Sequence, residues 1–183
     1  MNSEKIQQLV TQLLQEIGED PKREGLKETP QRVAKAFEKL FGGYLKDPKD
    51  LLTQFDGEDY DEMIICKGID FYSNCEHHIQ PFFGKAWIGY IPDKKIIGIS
   101  KLPRIVEIYS RRLQNQERLT MQIATALDEI LMPKGVGIVM EANHLCMMAR
   151  GVEKQNTTMT TSSFRGSFKK KAKTRNEFLR LIK

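Results

Sequence analysis

The chain has 183 residues, of which 40% are hydrophobic and 29% charged, a mixture that suits a compact domain and argues against disorder along its whole length. Lys and Arg outnumber Asp and Glu by 29 to 24, an excess that fits any anionic partner (nucleotide triphosphate, RNA or membrane surface) and selects none of them. No stretch approaches the ~20 apolar residues of a membrane span, and three cysteines in a chain this long exclude a disulfide scaffold and direct attention to metal binding or thiol reactivity.

The chain begins Met1-Asn2-Ser3-Glu4-Lys5. This polar start has no apolar signal core and is read as cytoplasmic, with no membrane partner. Ile6, Leu9, Val10, Leu13, Leu14 and Ile17 then recur at helical spacing, with Gly18 as a stop. A second helix is expected from Thr29 as its cap and Pro30 at its first position, with Val33, Ala36, Phe37 and Leu40 on one face and Gly42-Gly43 as its end. Residues 1–58 are thus read as a helical N-terminal region and 59–183 as a second, mixed region.

In the second region, 63–66 and 82–91 read as strands and 96–99 as a short apolar strand. Helices are expected over 102–112 and 116–131, the second ending at Pro133, and strand returns over 136–147. The Thr- and Ser-rich tract 157–163 suits an edge strand or a loop. Thr174 and Glu177 have the spacing of a capping box. Strands and helices in this order, without regular βαβ alternation, indicate an α+β fold.

Cys75-Glu76-His77-His78 and His144-Leu145-Cys146 hold all three histidines of the chain and two of its three cysteines. Cys75 and His78 have a common spacing for two ligands of one zinc ion. If 144–146 is a strand, His144 and Cys146 share a face. Three protein ligands with an open position suit catalysis, whereas four close a structural site. Spacing favours Cys75, His78 and Cys146 as ligands, which leaves His77 and His144 for proton transfer. Glu76 is read as a support of the ligands rather than a ligand.

Ser100, Lys101 and Arg104 sit where a strand gives way to a helix, a place that favours anions but is equally a charged helix start. Glu117 opens the next helix. It is either a favourable first-turn charge or, if buried, an acceptor for the paired donors of a guanine edge. Arg150 follows the His144 and Cys146 segment closely enough to close over phosphates. Lys169, Lys170, Lys171 and Lys173 read as a solvated face. A zinc-stabilised RNA-binding module is the competing class, and it requires a closed four-ligand site.

Taken together, Cys75-Glu76-His77-His78, Gly98-Ile99-Ser100-Lys101, Gln114-Asn115-Gln116-Glu117-Arg118-Leu119-Thr120 and His144-Leu145-Cys146-Met147-Met148-Ala149-Arg150-Gly151 resemble the signature segments of type I GTP cyclohydrolase. Thr29-Pro30-Gln31-Arg32-Val33-Ala34-Lys35 resembles that family's N-terminal motif, and Thr174-Arg175-Asn176-Glu177-Phe178-Leu179 its C-terminal end. The resemblance implies a tunnelling fold: an antiparallel sheet with helices on one side, closing into a β-barrel across subunits and preceded by N-terminal helices. It implies a homodecamer of two pentamers with active sites at subunit interfaces. It also implies hydrolysis of GTP to 7,8-dihydroneopterin triphosphate and formate.

Carried over residue by residue, the resemblance makes Cys75, His78 and Cys146 the ligands of one Zn2+ per subunit, and His77 and His144 the proton-transferring pair. Glu117 would bind guanine, with Gln116 beside it as a polar substrate contact. Ser100, Lys101, Arg104 and Arg150 would bind the triphosphate. Arg32 and Lys35 would reach a neighbouring subunit's triphosphate.

Overall fold

A computed structural model describes residues 1–51 and 53–183. The chain divides into two compact units, Met1–Gly42 and Gly43–Lys183. In the first unit, α1 (Ser3–Glu16) packs on α2 (Thr29–Leu40). Asn2 caps α1 by accepting from the Lys5 N–H at 2.9 Å, and the left-handed Gly18 follows its end at φ +88°. The cap of α2 is Glu28 rather than the expected Thr29, which is the first helical residue and makes no capping bond. Pro30 still occupies the first turn, where its missing N–H costs nothing.

In the second unit two short 3-10 turns precede β1 (Gln54–Asp56), followed by β2 (Ile64–Cys75), β3 (Pro81–Ile91) and β4 (Lys95–Ile97), then α3 (Lys101–Ser110), β5 (Leu113–Gln114), α4 (Gln116–Leu131), β6 (Gly135–His144), α5 (Leu145–Met148), β7 (Met159–Arg165), α6 (Gly166–Lys170) and α7 (Ala172–Leu181). β1 and β4 form a small antiparallel pair. The main sheet has the order β5-β2-β3-β6-β7, antiparallel except for the short β2–β5 pairing. Among the described residues, no helix is long and apolar enough to cross a membrane.

The strand expected over 63–66 runs on to Cys75. Lys67-Gly68 interrupts the apolar pattern, and the structure absorbs the interruption as a register shift between Cys66 and Ile69, with Gly68 at φ +68°. A bulge of this kind needs a residue that tolerates positive φ and lets the strand continue. The Thr-rich tract is an edge strand, β7, as one of its two readings held.

One face of the sheet carries the principal core. Ala86, Ile88 and Tyr90 of β3 pair with Met140, Ile138 and Val136 of β6, and all are essentially inaccessible. Period-two alternation sends these residues to one side, where Leu102, Ile105 and Val106 of α3 and Leu119, Ile123 and Leu127 of α4 cover them. The opposite face holds Trp87 and Val139, and α6 and α7 cover it at one end with Phe168 and Phe178. Those rings approach because Gly137 and Gly89 have no side chain: a Cβ on Gly137 would lie 2.5 Å from the Phe168 ring. The capping box expected at Thr174 is absent; Thr174 lies inside α7, whose cap is Lys171.

Candidate active site

The Cys75–His78 segment is the tight turn between β2 and β3. The Cys75 carbonyl accepts from the N–H groups of His78 at 3.3 Å and Ile79 at 2.8 Å, and the Cys75 N–H donates to the Gln80 carbonyl at 2.8 Å. Ile79 holds φ +54°, a costly conformation for a β-branched residue that persists only where its surroundings impose it. Thus the backbone bends sharply enough to turn Cys75, His77 and His78 toward one region.

The partner segment comes from the end of β6. The strand stops at His144, and Leu145–Met148 form a helical turn. The expected strand over 136–147 therefore ends early, and the shared-face argument for His144 and Cys146 does not apply. A helical turn after the strand nevertheless brings Cys146 back toward Cys75. The ligand atoms of Cys75, His78 and Cys146 all lie within 4.8 Å of one another.

Two thiols and one imidazole form a donor set that suits a borderline-soft divalent ion. The Cys75 Sγ to His78 Nδ1 distance is 3.7 Å, close to the roughly 3.6 Å separating sulfur and nitrogen ligands on a tetrahedral zinc. Three protein ligands also match the number found in catalytic zinc sites. Burial, with Cys75 close by, pushes the Cys146 thiol up, a shift that a bound cation reverses.

Glu76 points away from the ligand atoms. Its Oε2 pairs with Arg118, and its Oε1 accepts from Asn115 Nδ2 at 3.0 Å. The Arg118 hydrogen bond holds the Glu76 carboxyl below the usual range, against a smaller opposing effect of desolvation. Arg118 Nε also donates to Gln114 Oε1 at 3.0 Å, while Asn115 caps α4 by accepting from the Arg118 N–H at 2.8 Å. The turn is thereby fixed to the start of α4. Glu76 Oε1 lies 3.7 Å from His77 Nε2, close enough to orient that exposed ring.

His144 is held more tightly. It stands opposite Phe82 in the β3–β6 register, and the rings stack at 4.6 Å with planes 3° apart. Its Nε2 lies 2.8 Å from Gln116 Oε1. Burial lowers its pKa, and the Glu117 carboxylate partly opposes that.

A cavity of about 440 Å³ is lined by Cys75, His77, His78, Gln116, Glu117, His144 and Cys146, with Met147 and Met159 as apolar walls. The structure thus brings the ligand, histidine and Glu117 candidates together. Glu117 is exposed in this chain, so the buried carboxylate considered from sequence requires something else to cover it. Gln116 is only 1% exposed.

The anion-binding candidates do not line this cavity. Ser100 stands before α3 without a side-chain capping bond, and Arg104 lines a different cavity of about 540 Å³ with Lys46, Asp47 and Asp50. Exposed Arg150 donates to the Cys146 carbonyl at 3.5 Å. In the first unit, Arg32 and Lys35 are exposed on α2, and Arg32 pairs with Glu28 at 2.7 Å. Sequence reasoning missed Arg118, Asn115 and Phe82. Asn115 three residues before Arg118 carried a helix-start signal, but the pairings of Arg118 and Phe82 depend on tertiary contacts.

An α+β chain whose sheet ends converge on a Cys–His–Cys cluster beside a cavity belongs to the class of proteins built to hold a metal at a ligand-sized site. The model of the GTP cyclohydrolase I family matches residues 6–183. A GTP cyclohydrolase 1 of Chlorobaculum tepidum is 57% identical over 94% of this chain and 78% of its own length. That of Campylobacter lari is 55% identical over 98% of this chain and 95% of its own, and that of Helicobacter pylori 55% over 94% and 96%. The solved structure of an archaeosine synthase QueF-like protein in its apo form superposes with a TM-score of 0.46 and 15% identity, covering 57% of this chain and 93% of that one. The chain belongs to the GTP cyclohydrolase I family.

Proposed function

We propose that this protein converts GTP and water to 7,8-dihydroneopterin triphosphate and formate, an early step of pterin and folate synthesis. The observation that carries the reading is the three-residue cluster of Cys75, His78 and Cys146, beside a cavity also lined by two further histidines and Glu117, in a chain of this family.

Cys75, His78 and Cys146 hold one zinc. When bound, it supplies Lewis acidity and activation of water near neutral pH. Glu117 accepts from the N1–H and exocyclic amine of guanine and so selects that base. His144, with its ring fixed by Phe82, and His77, beside Glu76, move protons as the imidazole ring opens at C8 and formate departs. The ribose carbons then rearrange and close the new ring. The triphosphate is retained throughout as a handle whose binding energy positions the base. Ser100, Lys101, Arg104 and Arg150 grip it, and Arg32 and Lys35 reach that of a neighbouring subunit.

The separation of the two residue sets supports sites completed between copies of the chain, as in the homodecamer that the family resemblance implies. The metal and base-binding candidates share one cavity, whereas Ser100, Lys101 and Arg104 lie outside its lining. A site completed by a second copy brings both sets onto one substrate and covers Glu117.

The test is to incubate zinc-loaded protein with GTP and follow the pterin product by near-ultraviolet absorbance and formate by a coupled assay. Product that vanishes on chelation and returns with zinc supports the proposal. No product from a folded, zinc-loaded oligomer defeats it.

A further inference from the structure

The side-chain amide of Gln116 has only one consistent orientation. Its Nε2 lies 3.1 Å from the Met140 carbonyl, 2.9 Å from the Met159 carbonyl and 3.1 Å from Thr161 Oγ1. Carbonyl oxygens only accept, so the nitrogen belongs on that side and Oε1 faces His144. An amide oxygen also only accepts. The His144 Nε2 at 2.8 Å must therefore carry the proton, which leaves Nδ1 bare in the neutral ring.

The neighbouring hydroxyls agree with this direction. Thr120 Oγ1 donates to the Gln116 backbone carbonyl at 2.7 Å. At the 2.7 Å contact between Thr120 and Thr161, Thr161 is then the donor, and its oxygen remains free to accept from Gln116. Every proton in the network has a place. Gln116 and Thr120 are each 1% exposed, and turning the Gln116 amide over would set its oxygen against two carbonyl oxygens, a mispairing that burial makes costly. Phe82, itself inaccessible, stacks on the ring and resists a flip that would put Cε1 in place of Nε2 opposite Gln116.

We infer that Gln116 is a positioning residue that locks His144 in the Nε2–H tautomer, so that Nδ1 is the nitrogen that exchanges a proton with the substrate. Thr161 of β7 accepts from the amide and is itself fixed by its hydrogen bond to Thr120 of α4. The proton-exchange half of this inference rests on the role proposed above for His144; the tautomer half stands on the hydrogen bonds alone. It also replaces direct substrate contact as the task of Gln116, whose two amide protons already face three internal acceptors.

The experiment is 15N NMR of the imidazole nitrogens in the zinc-loaded protein, labelled at its three histidines and free of GTP, with His144→Asn to assign the signals. The expected spectrum has a protonated Nε2 and a bare Nδ1 at His144. Gln116→Met should yield a mixture of tautomers and lower kcat for GTP by about 100-fold, with KM changed by less than about threefold. A wild-type spectrum with Nδ1 protonated overturns the inference without recourse to any variant, so misfolding of Gln116→Met cannot shield it. A raised KM with unchanged kcat in Gln116→Met overturns it in favour of direct contact. Nε2–H at His144 in a wild-type protein that does not turn over GTP overturns the proposed reaction and leaves the tautomer lock standing.

Discussion

Arg118 in the first turn of α4 forms an ion pair with Glu76, the residue between ligand Cys75 and His77. The same guanidinium reaches the Leu113 carbonyl at 3.2 Å and Gln114 Oε1 at 3.0 Å. One side chain thus connects the ligand-bearing turn with β5 and α4. Its contribution is to shape: it holds the turn that brings Cys75 and His78 to the candidate metal cluster.

Glu76→Gln and Arg118→Ala should each weaken zinc binding by about 10- to 100-fold, the usual cost of losing a group that orients ligands, without abolishing the fold. Competition with a chromophoric chelator measures this directly. Unchanged affinity in both variants would mean that the turn holds its shape unaided.

Cys146→Ala and His78→Ala should lose zinc and activity together. Zinc at 100 times its Kd should stabilise the native protein by about 2.7 kcal/mol, since a ligand that binds only the folded state favours it by mass action. Thermal melts with and without chelator test the linkage. A melting point insensitive to zinc in the wild type would show that the cluster holds no ion.

Glu117→Ala should impair recognition of guanine, with GTP affinity falling and discrimination against ATP relaxing. Arg150→Ala should instead weaken GTP more than guanosine. Equilibrium binding of the three compounds separates the two roles, and equal losses for GTP and guanosine in Arg150→Ala would remove Arg150 from the phosphate site.

Tyr90 offers a pH test remote from the metal. Burial raises its pKa, although the Ile97 N–H that donates to its oxygen at 3.2 Å acts in the other direction. Because the folded pKa lies above the unfolded value near ~10, the neutral phenol favours the native state below that pH. This contribution is lost as pH climbs from about 10 through the raised folded value. Tyr90→Phe should show less alkaline destabilisation over that window in denaturant titrations, at a cost of about 1–3 kcal/mol at neutral pH for the unpaired Ile97 N–H. An identical alkaline slope in the two proteins would remove Tyr90 as a cause.

Gly137→Ala should destabilise by about 1–3 kcal/mol through overpacking against Phe168, readable as a shift in the urea midpoint. No shift would mean that α6 can move away from the sheet at little cost.

The cluster was legible from sequence because its residues are scarce: three histidines and two cysteines within two short segments identify one another wherever the chain goes. The helices of 116–131 and the strand of 82–91 were legible because their apolar residues follow one period throughout. The full length of β2 was not, because Lys67-Gly68 marks a bulge and an ending equally well. Nor was the stop at His144: Leu145, Met147 and Met148 are good helix formers, but a four-residue turn is too short to show a helical period. The cap at Thr29 and the box at Thr174 failed for a common reason: good cap residues also sit inside helices when the backbone groups they would serve are already paired. Arg118 and Phe82 left no local trace, because their importance lies in what the fold puts opposite them.

The stacking of His144 on Phe82 has a consequence for how the site comes apart. Phe82 is inaccessible and belongs to the same packed cluster as Ile88, Ile138 and Leu119, so amides around His144 should exchange with deuterium only when that whole cooperative unit opens. His77, His78, Ile79 and Gln80 are exposed, so their turn is held by its own hydrogen bonds and the Glu76–Arg118 pair rather than by core packing. The site therefore has one slow wall and one fast wall. Removal of a bound ion should show first as faster exchange at residues 77–80, while residues 138–144 stay protected.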